Sequence, residues 1–246
     1  MKFKDISILI PFKSDYGQRD KNWSWVRQRY EKLIPEAEIC LGNYPYEPFS
    51  RSRAINQAAR LATRDIFLIA DTDIIFDLND LTRWLELLFQ YTWVIPFSKR
   101  YNLTPDKTNW LLQQDYGIDI KNVSLGSLEI IECPGSLNLV PRRYFEVIGG
   151  FDTRFEGWGG EDNAFKMAMD TLCGPSINAD NVVWHLWHPP ANINSNQYQL
   201  NYSLYEKYCQ ASGNRTAMLK LAKNSPPKSS SAQKYRRSTR ISRKGK

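Results

Sequence analysis

Phe67-Leu68-Ile69-Ala70-Asp71-Thr72-Asp73 is an apolar run that ends abruptly in two carboxylates. A short apolar stretch bounded by polar residues has the signature of a buried strand in an α/β sheet, where ligands gather at the carboxyl ends of the strands. Side chains two apart on an extended segment face the same way, so Asp71 and Asp73 are expected to reach one hard cation, or the ribose and phosphates attached to it. A plainer reading fits the same residues: a strand running into an Asx turn, its acids capping a helix that begins near Leu78.

Working outward, Ile6 to Phe12 reads as a first strand closed by Pro11-Phe12-Lys13, and Arg19 to Leu33 as the helix that follows it. Ala37 to Leu41 reads as a short strand, and Ser50 as the N-cap of a helix through Ala62 with Arg51 and Arg53 in its first turn. Cations there oppose the helix dipole unless an anion lies nearby, which makes a diphosphate partner a physical motive for them; a surface salt bridge is the alternative. Beyond Asp73 the pattern predicts a helix from Leu78 to about Gln90 and a strand from Thr92 to Phe97. A polar excursion from Lys99 to Leu128 follows, with one helix near Asn109 to Tyr116. Ile130 to Val140 is strand-like but broken by Cys133-Pro134-Gly135-Ser136. A helix from Arg142 to Ile148, a strand Val182 to His185, and closing helices Tyr198 to Cys209 and Thr216 to Ala222 complete the chain. Strands alternating with helices imply an α/β fold with a largely parallel sheet covered on both faces.

At 246 residues, 42% hydrophobic and 13% aromatic, the chain suffices for one well-filled domain. No segment approaches the length of a membrane span, and the apolar stretch after Met1 is too short and interrupted for a secretory signal. The four cysteines are scattered, which argues against a zinc ribbon, a redox dithiol or a disulfide scaffold and points to a reducing compartment. The formal charge of +7 belongs to the last stretch, Lys223 to Lys246, which holds nine Lys or Arg and no acid. The expected organisation is a domain over 1–222 and a disordered basic tail over 223–246, able to touch an anionic membrane or, nonspecifically, nucleic acid; solvated filler is the alternative. No specific nucleic-acid partner is expected.

A second constellation is Gly157-Trp158-Gly159-Gly160-Glu161-Asp162, a glycine-rich loop opening a helix. A Trp between glycines suits a mobile lid that stacks on a sugar face, and a carboxylate beside it can accept a proton from a hydroxyl nucleophile. First-turn dipole partners and a buried anchor are the plainer alternatives. The only two histidines lie in His185-Leu186-Trp187-His188. At the end of a strand a neutral imidazole can complete the coordination of a divalent metal held by Asp73. The three-residue spacing does not fit a regular strand pair, so one ligand is expected, His185 before His188, with the other a bystander.

The order of these motifs resembles GT-A glycosyltransferases, the nucleotide-diphospho-sugar transferases, in particular the group of the beta-1,4-galactosyltransferase C-terminal domain, the bacterial chondroitin polymerase domains and the polypeptide GalNAc-transferases. The resemblance runs over roughly residues 5 to 190. Its most specific element is Gly157 to Asp162, which matches the group's Gly-Trp-Gly-Gly-Glu-Asp residue for residue. It implies a mixed, mostly parallel central sheet with helices on both faces, and a donor site formed by Pro11, Phe12, Lys13, Arg51, Arg53, Asp71 and Gly135. It further implies Mn²⁺ or Mg²⁺ on Asp73 and His185, acceptor contacts from Trp158, Gly159 and Gly160, and Asp162 as catalytic base beside Glu161. Lys13 stands where the group has arginine, which leaves the nucleobase contact open.

The activity so implied is transfer of a hexose or N-acetylhexosamine from a UDP-sugar to a saccharide or other hydroxyl acceptor, in polysaccharide or glycoconjugate synthesis. Inversion is the primary expectation, with retention on the same scaffold as the alternative. No membrane anchor is read, so a cytoplasmic bacterial or viral enzyme, peripheral at most, is expected rather than a Golgi one. A haloacid-dehalogenase-like phosphatase normally opens its domain on the acidic motif, whereas here two strands precede it and Ile75 replaces the usual Thr or Val. A noncatalytic sugar- or nucleic-acid-binding module is the remaining alternative.

Overall fold

In the computed structural model, residues 2–122, 127–130, 134–190 and 194–223 are described. In chain order they form β1 (Ile6–Phe12), α1 (Gln18–Leu33), β2 (Glu38–Asn43), α2 (Arg51–Leu61), β3 (Ile66–Ala70), β4 (Ile74–Phe76), α3 (Leu78–Leu87) and β5 (Trp93–Ile95). There follow β6 (Lys99–Asn102), α4 (Pro105–Leu111), β7 (Ser127–Ile130), β8 (Leu137–Pro141), α5 (Arg142–Ile148) and α6 (Glu161–Leu172). The series closes with β9 (Ser176–Asn178), β10 (Val182–His185), α7 (Ser195–Ala211) and α8 (Arg215–Lys223). The basic tail beyond Lys223 lies outside the described residues.

The six-stranded sheet runs β2-β1-β3-β8-β5-β9, with β8 antiparallel to its neighbours β3 and β5 and the remaining pairs parallel. It is the mixed, mostly parallel sheet the sequence implies. Buried on both faces, β3 sorts its side chains by parity. Ile66, Leu68 and Ala70 join the core under α1 and α3, whereas Phe67 and Ile69 join the core shared with α2, α5, α6 and α7. That double burial is why the strand reads as an unbroken apolar run.

A second, four-stranded sheet, β4-β10-β6-β7, packs into the first of those cores and was not foreseen. Its strand β6 is Lys-Arg-Tyr-Asn, half-buried throughout, so the supposed polar excursion hides a strand. The helix expected near Asn109 to Tyr116 is instead Pro105–Leu111. Thr104 accepts from Lys107 N as its N-cap and Pro105 occupies the first turn, where a missing N–H costs nothing. Likewise α3 is capped by Asp77, whose side chain accepts from Asn79 N, and neither Asp71 nor Asp73 serves as that cap.

Candidate active site

β1 and β3 are parallel with Leu9 opposite Ile69, so Pro11-Phe12-Lys13 ends on the same sheet edge as Asp71. Because β3 stops at Ala70 and 71–73 is a turn, strand alternation does not carry through the two aspartates. Asp71 keeps the parity of Phe67 and Ile69 and meets Arg51 of α2, whereas Asp73 turns toward α1 and the end of β10. The two carboxylates thus enter two adjoining clusters, Asp73 with the histidines and Asp71 with Arg51.

The first cluster centres on Asp73, 3% exposed. His188 Nε2 lies 3.3 Å from its Oδ2 and His185 Nε2 lies 3.6 Å from its Oδ1. One ligand atom from each of the three residues falls within 4.8 Å of the others. Leu186 N donates to Asp73 O at 2.8 Å, lacing the end of β10 to the turn. His188 Nδ1 donates to Pro189 O at 2.8 Å, so Nε2 is the ring nitrogen turned toward Asp73. Sequence reasoning held the histidine spacing against a joint role, but β10 ends at His185 and the irregular chain after it brings His188 back. Burial holds the His185 imidazole below its ordinary pKa against the pull of Asp73, which favours its neutral, metal-binding form. One carboxylate and two imidazoles suit a divalent ion, and two nitrogen donors favour Mn²⁺ over Mg²⁺, which takes oxygen. Arg19, in the first turn of α1, reaches Asp73 Oδ2 at 3.5 Å. It went unread, although its place just after β1 puts it at the sheet edge that carries the aspartates.

The second cluster is built around Arg51, whose Nε donates to Asp71 Oδ1 at 2.8 Å and whose Nη1 donates to Asp162 Oδ1 at 2.6 Å. Burial works against its charge, but Asp162 and Asp71 hold its pKa above the ordinary value. These carboxylates are anions that offset a cation in the first turn of α2. Its Nη2 is buried and makes no hydrogen bond. Burial pushes Asp71 up to about 6 against the pull of Arg51, with Asp73 and Asp162 adding to the rise. Burial and the Asp162 charge push Glu161 up to about 7. Three carboxyl groups thus share one guanidinium, and the cleft carries excess negative charge that a dication would relieve.

Asp162 and Glu161 open α6 behind the loop 157–160. α7 forms the floor of this loop. Asn201, 2% exposed, donates from Nδ2 to Glu156 O at 2.8 Å and to Trp158 O at 3.1 Å. Gly159 has φ +103°, and a Cβ there would lie 3.3 Å from the Tyr198 ring, so both backbone and space call for glycine. From the other side Gly157 N donates to Phe49 O at 2.7 Å, and Ser50 Oγ donates to Phe155 O at 2.9 Å, tying the loop to the start of α2. Trp158 stays 55% exposed. Asn201 and Tyr198 were unread because nothing in a lone helix marks which loop will rest on it.

On the donor side, Pro134-Gly135-Ser136 lies beside the aspartate turn, Ser136 O accepting from Asp71 N at 2.9 Å. Lys13 pairs with Glu47. Arg53 joins neither cluster: two residues along the helix from Arg51, it points to Glu156 Oε1 at 3.4 Å.

Residues 126–168, which include the Gly157 to Asp162 run, match a family model described as the N-terminal domain of galactosyltransferase. No curated protein matches the chain. Among solved structures, GalNAc-T7 with UDP, GalNAc and Mn²⁺ is similar over 88% of this chain and 54% of its own, at 11% identity and a TM-score of 0.50. The catalytic domain of Drosophila β1,4-galactosyltransferase 7 with xylobiose aligns over 80% of this chain and 79% of its own, at 17% identity and TM-score 0.49. A mannosyltransferase of Pyrobaculum calidifontis with GDP-Man and Mn²⁺ covers 88% and 69%, at 12% identity and TM-score 0.48. The chain spans about half the length of that GalNAc-T7. Its fold is the GT-A fold of glycosyltransferases.

Proposed function

We propose that this chain is a metal-dependent glycosyltransferase that moves a sugar from a UDP-sugar to a hydroxyl of a saccharide or glycoconjugate, inverting configuration with Asp162 as base. The observation that carries the reading is the convergence of Asp73, His185 and His188 within 4.8 Å, at the sheet edge where Asp71, Arg51 and Asp162 also meet. The galactosyltransferase segment supports it, as does the fold shared with GalNAc-T7, whose structure holds UDP, GalNAc and Mn²⁺. Asp73, His185 and His188 would hold the ion, and bound Mn²⁺ would supply Lewis-acid neutralisation of a diphosphate leaving group. Arg51 holds the Asp162 carboxylate in place at the start of α6 through its Nη1. Trp158 offers its exposed ring to the acceptor sugar, while Asp162 takes the proton of the attacking hydroxyl.

Calorimetry of UDP binding with and without Mn²⁺, followed by a donor screen with mass detection, tests this. Asp73→Ala is expected to abolish the Mn²⁺-dependent part of UDP binding; unchanged affinity in saturating Mn²⁺ would overturn the metal assignment. A second reading of the base is favoured by Glu161, which burial and the Asp162 charge raise to about 7, near the pH at which a general base works best. Asp162→Asn is expected to lower turnover by about two to four orders of magnitude at little cost in donor affinity. If Glu161→Gln shows that loss while Asp162→Asn stays within about tenfold of the parent, the base is Glu161.

A further inference from the structure

α7 carries tyrosines at 198, 202 and 205, a spacing that puts all three on one face of the helix. This is the face against the glycine run, where the Tyr198 ring covers Gly159 and the Tyr205 side chain approaches Gly160. Trp158 and Tyr198 lie near-parallel, 21° between planes and 5.8 Å between centroids, and the Tyr202 and Tyr205 rings follow 6.3 Å apart. Yet Trp158, Tyr198 and Tyr202 remain 55%, 36% and 47% exposed. The same helix buries Leu204, Tyr208 and Ala211 in the core, so these exposed rings are not its core contacts.

What the rings can bind is limited by what surrounds them. From Ser195 to Tyr205 the helix has no charged side chain, and its amides outside the core are those of Asn196, Gln197 and Gln199. Uncharged amides beside exposed aromatic faces suit a neutral polyhydroxylated ligand, whose ring C–H faces stack while its hydroxyls bond. They do not suit phosphate-bearing nucleic acid or an anionic lipid surface, which would call for Lys or Arg. The rise of about 6 Å between residues four apart on a helix spaces Tyr198 and Tyr202 by roughly one sugar unit, with Trp158 stacked beside Tyr198 at the loop end.

We infer that this face of α7 continues the acceptor site, and that the acceptor is a neutral saccharide chain occupying Trp158, Tyr198 and Tyr202 with successive rings. The inference rests on the transferase reading of the site and goes beyond it by naming the form of the acceptor. Tyr198 and Tyr202 are then specificity-determining residues remote from the reacting atoms, and Asn201 is the positioning residue that keeps Trp158 in line with them.

The test is calorimetry on the full chain with Mn²⁺ and UDP, using xylo-, cello- and chito-oligosaccharides from mono- to tetrasaccharide as probes. At least one series is expected to gain about three- to tenfold in affinity with each added ring up to the third. Tyr202→Ala is expected to remove the gain from the third ring, and Tyr202→Phe, which retains the aromatic face, to keep it. Affinity independent of chain length in all three series, or a third-ring gain that survives Tyr202→Ala, overturns the inference. Mn²⁺-dependent UDP binding in the same samples separates the two ideas. If it is absent, the transferase reading fails; if it is present and the length response is flat, only the α7 assignment fails.

Discussion

With its pKa pushed up to about 7 by burial and by the Asp162 charge, Glu161 keeps a proton in the folded chain over a range of pH where the unfolded chain has released it. A carboxyl raised in this way stabilises the fold fully below its unfolded value, and the contribution is lost as pH rises through the folded one. Metal-free protein is therefore expected to lose on the order of 1 to 3 kcal/mol, relative to Glu161→Gln, between about pH 4.5 and pH 7.5. Urea melts of both proteins at the two ends of that window, in chelator, measure it; parallel stabilities would show that Glu161 titrates normally. Such an effect could not be read from Glu161-Asp162 in the sequence, because the burial that dominates it is imposed by the fold, and Arg51, which opposes it, comes from a distant helix. The residues themselves were legible where chemistry is contiguous, as in Gly157 to Asp162. They were illegible where a residue acts through a fold-level neighbour, as Arg19 does on Asp73 and Asn201 does on Trp158.

Among the elements, α7 has the least conspicuous sequence and one of the larger roles. Asn201→Ala removes donors from two loop carbonyls, Glu156 O and Trp158 O, and is expected to cost about 1 to 3 kcal/mol. If its main service is to hold the loop, the acceptor Michaelis constant rises several-fold while Mn²⁺-dependent UDP affinity stays put; steady-state kinetics at saturating donor distinguish this from a general loss of fold. Apolar periodicity made β1, β3 and α2 readable, since each buries a continuous row. It could not reveal β6 or β9, which are short, polar and only partly covered, and which exist because neighbouring strands offer them hydrogen bonds. The Thr104-Pro105 start of α4 was a signal present in the chain and passed over.

For the molecule as a whole, charge is divided sharply along the chain. The stretch from Lys223 to Lys246 holds nine Lys or Arg and no acid, while the rest is nearly neutral. Deleting the residues after Lys223 is expected to leave transferase activity intact and to weaken sedimentation with anionic vesicles, an effect that added salt suppresses. Equal sedimentation of both forms would rule out a membrane role for the tail. The catalytic apparatus shows a division of its own. Asp73, His185 and His188 adjoin the smaller sheet, whereas Arg51, Asp71 and Asp162 adjoin the larger one, and the covalent link between the two groups is the single residue Thr72. Two peptide units cannot stretch beyond about 7 Å, so bond lengths cap the distance between Asp71 and Asp73 whatever the packing around them. Loops on either side can lengthen, shorten or change sequence over generations, trading one substrate for another, without pulling the halves apart. One residue inserted beside Thr72 would add up to about 3.5 Å to that leash, and no improvement in the loops could take it back.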